Sequence, residues 1–141
     1  MTTSRISLGL TTLGITALVL TALPSTALAS HADQAPRVVA ADGNLHVWEH
    51  EKKGGRHCAW PGDIPNWDIC GMRNRGSSLH NNGRTHDVWL YYGPDHTGAR
   101  YCLNRGVYLE NIVHHYFPNN GTGGGTSLND NIASHKWVAD C

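Results

Sequence analysis

Ten histidines, four cysteines and two short Asn/Asp-to-Ser segments are the parts of this 141-residue chain whose types could do chemistry. Histidines bind a transition ion only where two or more converge. His46 and His50 lie four apart on an alternating segment, and at roughly 3.3 Å per residue of strand their Cα atoms are about 13 Å apart, too far to share an ion. His114 and His115 are neighbours, so extended chain would put them on opposite faces. No HExxH or CxxC spacing occurs, and the histidines read as surface residues. A hydrolase needs a nucleophile, a base and an orienting group. No GxSxG elbow, paired-carboxylate frame or phosphate loop is present, and cysteines held in disulfides are not nucleophiles. A small secreted hydrolase is therefore the last-ranked reading, and the protein is read as a non-enzyme.

The ends and the composition say where these residues work. Residues 1–29 have the form of a signal peptide: Arg5, an uncharged apolar run from Leu8 to Leu23, then Ala27-Leu28-Ala29. Gly9, Gly14 and Pro24 make that run a poor membrane span, so the expectation is a secreted, extracellular protein with no membrane association after cleavage. An even cysteine count in an exported chain favours two disulfides. Cys58, Cys70, Cys102 and Cys141 allow three pairings; Cys58 with Cys70 and Cys102 with Cys141 would each tie one part of the chain to its own later part, but spacing alone leaves the choice open. Basic and acidic residues number 11 each, Arg5 included. With only Arg73, Arg75 and Arg84 close together, the electrostatic footprint of a nucleic-acid binder is missing. Residues 30–43, Ala-rich and polar, read as a flexible arm, and 44–141 as one domain, expected to be monomeric.

Inside that domain the chain repeats itself. Trp48-Glu49-His50-Glu51-Lys52-Lys53-Gly54-Gly55-Arg56-His57-Cys58 aligns without a gap on Tyr92-Gly93-Pro94-Asp95-His96-Thr97-Gly98-Ala99-Arg100-Tyr101-Cys102, an offset of 44 that matches aromatic, glycine, arginine and cysteine. Asn74-Arg75-Gly76-Ser77-Ser78 then answers Asn131-Ile132-Ala133-Ser134-His135 at an offset of 57. Alternation at Leu45–His50, Arg56–Trp60, Val88–Tyr92 and Ala99–Leu103 predicts a hairpin opening each copy, turning at Gly54 and Gly98, where φ > 0 costs a glycine nothing. Runs at Ser77–His80 and Ala133–Val138 would close each unit. Val107–Tyr116 stays open between a short helix and a strand. Two four-stranded units, about 44–84 and about 86–141, are each too small for a core, so the expected fold is an all-β sandwich.

The hairpin glycine behind an aromatic and the later Asn/Asp-Asn/Asp-x-x-Ser/Thr-Ser form resemble the βγ-crystallin motif. In order, Trp48–Arg56, Asn74-Arg75-Gly76-Ser77-Ser78-Leu79-His80-Asn81-Asn82 and Asn129-Asp130-Asn131-Ile132-Ala133-Ser134-His135-Lys136-Trp137 resemble the exported actinobacterial peptidase-inhibitor family that includes the Streptomyces metalloproteinase inhibitor. The resemblance implies a Greek-key βγ-crystallin-like sandwich and a secreted peptidase as partner, of the metallo or serine class, gripped by a stiff loop. Cysteine spacings of 12, 32 and 39 exclude the short cysteine-closed loop that the family's founding member presents. The proline-stiffened stretch Trp60–Cys70 is the candidate instead, with Ile64, Trp67 and Ile69 as contacts; tryptophans plugging the sandwich are the plainer account of it. Pro118–Ser127 is glycine-rich and costly to order. The resemblance also implies calcium as a possible ligand, at Asn74, Ser77, Asp130 and Ser134. Arg73 stands where an acidic or amide ligand belongs, and turn-capping by these side chains needs no metal. A non-inhibitory βγ-crystallin-like binding or stability domain is the second functional reading.

Overall fold

The computed structural model describes residues 39–141; the signal-peptide expectation and most of the arm lie outside them. Among the described residues no helix is long and apolar enough to cross a membrane. Seven strands form two antiparallel sheets: β1 (Asn44–His50), β2 (Gly54–Trp60), β3 (Ser78–Asn82), β4 (Asp87–Tyr91), β5 (Arg100–Leu103), β6 (Tyr108–Leu109) and β7 (Ser134–Val138). The first sheet has the order β2-β1-β3-β6 and the second β5-β4-β7. Val107–Tyr116, open on sequence, supplies the two-residue strand β6 and then irregular chain.

The pleat explains the core. Leu45 and Val47 on β1 and Val88 and Leu90 on β4 are fully buried and meet between the sheets, while His46 and Trp89 point outward with Trp48 and Tyr91. Trp60, Trp67, Met72, Leu79, Leu103, Ile112, Phe117, Leu128 and Ile132 complete one apolar cluster. The second motif has the four strands expected, β4 to β7, but the first has three, β1 to β3, with only an isolated bridge at Ile64 where its third was expected, and the sheets are not the motifs. β6, from the second motif, pairs with β3 of the first through Leu79 opposite Leu109. In the reciprocal position, Ile64 of the first motif bridges His135 on β7 of the second. Each copy thus lends its third segment to the other's sheet, the second as a strand and the first as a single bridge.

The register corrects the repeat by one residue. Leu45 faces Trp60 in the first hairpin and Val88 faces Leu103 in the second, which equates both strands at an offset of 43. Trp48 thus corresponds to Tyr91; Tyr92 turns inward, its ring centroid 5.9 Å from that of Phe117. The tight turns agree: Lys52 and Lys53 have positive φ, as do Asp95 and His96, and the left-handed glycines are Gly55 (φ +72) and Gly98 (φ +79). Gly54, expected to turn, is extended at φ −85. Ser78 and Ser134 are likewise equivalent. The Ser78 hydroxyl donates to the His50 carbonyl and accepts the Lys53 N–H; the Ser134 hydroxyl donates to Gly93 and accepts from His96. Matching by residue identity chose the second of two consecutive tyrosines, and a one-residue slip reverses every side chain across the pleat.

Two disulfides close the domain, Cys58–Cys70 and Cys102–Cys141. They are not symmetric. Cys58 faces the core at 3 % exposure, whereas Cys102 pairs with the outward Trp89 and ties β5 to the chain end.

Candidate functional site

The stretch from Trp60 to Cys70 is pinned along most of its length. The Cys58–Cys70 bridge closes it. Ile64 exchanges both backbone hydrogen bonds with His135 at 3.0 Å, and the Trp67 N–H reaches the Ala133 carbonyl at 2.8 Å. Trp67–Cys70 is a single 3-10 turn, capped by Asn66, whose side-chain oxygen accepts the Asp68 N–H, and ended by Gly71 in the left-handed region. Asn caps of this kind satisfy an otherwise orphaned amide.

The three residues proposed as contacts fare differently. Trp67 is fully buried, so its side chain cannot meet a partner, which corrects its placement as a contact. The reason is the indole N–H, which donates to His135 Nδ1 at 2.8 Å, while His135 Nε2 lies 2.9 Å from the Gly62 carbonyl. An indole only donates, so Nδ1 accepts and the imidazole proton sits on Nε2. A second proton would face another donor. Burial, against the Gly62 hydrogen bond and Asp63, holds His135 down to about 4. Ile64 is half-buried with its backbone already used. Ile69 alone of the three stands out, 69 % exposed beside the disulfide.

Asn74, Ser77 and Asp130 line one hollow with Glu49, His50 and Arg75. Asn74 and Asp130, both at positive φ, are symmetry equivalents. Each donates its N–H across the pseudo-dyad, Asn74 to the Ile132 carbonyl and Asp130 to that of Gly76. Ser134 lies elsewhere, its hydroxyl bound to Gly93 and His96. Sequence reading missed Glu49, which lies where the β1–β2 register shifts, between Trp48 and His50. Arg75 pairs with it at 3.2 Å, so a hard cation would meet a guanidinium and a carboxylate already engaged. That donor set fits calcium poorly. A second cluster, Asp87 with Cys102 and Cys141, has its sulfurs in the disulfide and offers no thiolate.

A family model described as peptidase inhibitor family I36 matches residues 34–103, from ahead of β1 to the end of β5. The chain carries an I36 peptidase-inhibitor domain. Its fold is that of the βγ-crystallins. One solved structure, from work on the evolution of the eye lens βγ-crystallin domain fold, aligns at TM-score 0.56 and 17 % identity over 70 % of this chain and 88 % of its own. A βγ-crystallin from Ciona intestinalis aligns at 0.53 and 16 % over 68 % and 100 %, and one from an archaeon at 0.53 and 16 % over 67 % and 96 %. At such identities the likeness concerns fold. No curated protein matches the sequence. In this I36 domain the family match includes the whole disulfide-closed stretch Cys58–Cys70.

Proposed function

We propose that the protein is a secreted inhibitor of extracellular peptidases, of the metallo or serine class, and that the Cys58–Cys70 loop is the surface it presents. The observation that carries this reading is Ile69, a large apolar side chain 69 % exposed on a turn fixed by a disulfide, an Asn cap and a left-handed glycine. Rigid presentation matters because a loop ordered in advance loses little conformational freedom on binding. The 3-10 turn at Trp67–Cys70 argues for a knob that blocks the cleft or its rim rather than an extended, substrate-like strand.

Titration of the purified protein against thermolysin-like, subtilisin-like and trypsin-like peptidases tests this. Inhibition of one class, weakened tenfold or more by Ile69→Asp with no change in melting temperature, supports the loop assignment. Inhibition untouched by that change moves the surface elsewhere. No inhibition at micromolar protein favours the second reading, a non-inhibitory βγ-crystallin-like binding domain, which the burial of Trp67 and the use of the Ile64 backbone also favour.

A further inference from the structure

The outer face of the first sheet holds chemistry that neither the core nor the inhibitory loop uses. His46 on β1, His57 on β2 and His80 on β3 stand side by side there. Antiparallel pairing sets His46 opposite His80 and Trp48 opposite His57, so strands about 4.8 Å apart bring together histidines that spacing along one strand would separate. His46 Nδ1 lies 2.9 Å from His57 Nε2. The other nitrogen of His46, Nε2, lies 2.7 Å from Asp42 Oδ2. The two imidazoles are nearly parallel, at 5°, and the Trp48 indole stacks against His57 with centroids 4.7 Å apart.

We propose that His46 Nδ1 and His57 Nε2 form a site for one divalent transition ion of borderline softness, such as Zn²⁺, Ni²⁺ or Cu²⁺, with Asp42 orienting the first imidazole and water completing the coordination.

Three features of the array support it. An ion about 2.0–2.1 Å from each of two neighbouring nitrogens sets them roughly 2.9–3.4 Å apart, which spans the observed separation. Asp42 accepts the His46 Nε2–H, which leaves the Nδ1 lone pair free; a carboxylate on the far nitrogen is the usual support of a metal-bound imidazole. His57 is exposed on an edge strand, so its ring can swing to aim its lone pair at a point shared with His46. In the ion-free state the His57 Nε2–H donates to His46 Nδ1. Ion binding needs only that this proton move to His57 Nδ1 through water, so the protein's charge is unchanged.

The charged neighbours act on the site in opposite senses. Asp42, whose carboxylate accepts from Asn44 and His46, favours a cation. Lys53, whose ammonium lies 4.7 Å from the Tyr108 ring centroid and 5.6 Å from that of Trp48, opposes one. His80, the third imidazole of the row, sits opposite His46 across the β1–β3 pair and is not a ligand.

Calorimetric titration of the full chain with Ni²⁺ or Zn²⁺ at pH 7.5 is the test. One ion per chain is expected, with affinity down at least tenfold in His57→Ala, roughly tenfold in Asp42→Asn, and unchanged in the control His114→Ala/His115→Ala. Imidazole NMR signals of His46 and His57 should shift on binding, and binding should vanish by pH 5. His57 is exposed, so its variant should keep the fold, which a melting curve in chelator checks. Absence of binding at millimolar ion, affinity unchanged in His57→Ala, or loss only in the His114/His115 variant would each overturn the site.

Discussion

Two symmetry-related places in the sandwich solve the same packing problem with opposite chemistry. By the pseudo-dyad Leu79 and Ile112 correspond to His135 and Trp67: Leu79 bridges Leu109 as His135 bridges Ile64, and the Ile112 N–H bonds Ser77 as the Trp67 N–H bonds Ala133. All four side chains are fully buried. The first pair brings no polar atom into the interior. The second brings three nitrogens, each with a partner at 2.8–2.9 Å or, for His135, two partners in all. A Greek-key frame accepts either arrangement here because the polar pair satisfies its own donors. The polar solution does something more, since Gly62 and Ile64 both belong to the loop that His135 ties down.

Several changes should break or sharpen that contrast. The largest effect is expected from the disulfides, because closing a longer loop restricts the unfolded chain more. Opening Cys102–Cys141 with paired serines should cost about 4 kcal/mol and opening Cys58–Cys70 about 3 kcal/mol, measured by denaturant unfolding; equal costs would mean that native packing, not loop length, governs.

Acid comes next. His135 is neutral in the fold and accepts a proton only near 4, against an ordinary 6.5. Stability from this group is complete above about pH 6.5, declines as the pH falls toward 4, and levels off below, a span of about 3 kcal/mol. His135→Leu, which copies Leu79, should flatten that part of the profile.

The same substitution at neutral pH should cost about 2 kcal/mol, since it strands the Trp67 N–H and the Gly62 carbonyl. Trp67→Phe/His135→Leu should recover part of this, because removing both partners leaves no orphan donor; a coupling near zero in the double-mutant cycle would contradict the pairing. Smaller again, Ser78→Ala and Ser134→Ala should each cost about 1–2 kcal/mol and match one another if the corner serines are equivalent.

Much of this was legible beforehand, and the failures are local. Alternation placed four of the strands, because a half-buried strand must show one face to the core, and two short runs marked β3 and β7. The equivalence of Trp48 with Tyr92 failed because Tyr91 and Tyr92 are adjacent and only the pleat decides which points outward. Trp67 read as exposed contact or plug; a single distant acceptor, His135 Nδ1, made it core. The Glu49–Arg75 and His46–His57 contacts were invisible because each joins residues distant in the chain, the first a strand to a turn and the second two strands.

Sequence by itself determined the duplication, the hairpins, the likeness to an inhibitor family and the number of cysteines available for bridging. These are properties of local pattern and composition, written within short windows of chain. Tertiary structure alone decided the exact register between the copies, the exchange of third segments, the fate of Trp67 and the company each histidine keeps. Such facts depend on which distant residue lies 3 Å away across the sheets, and no local pattern encodes that.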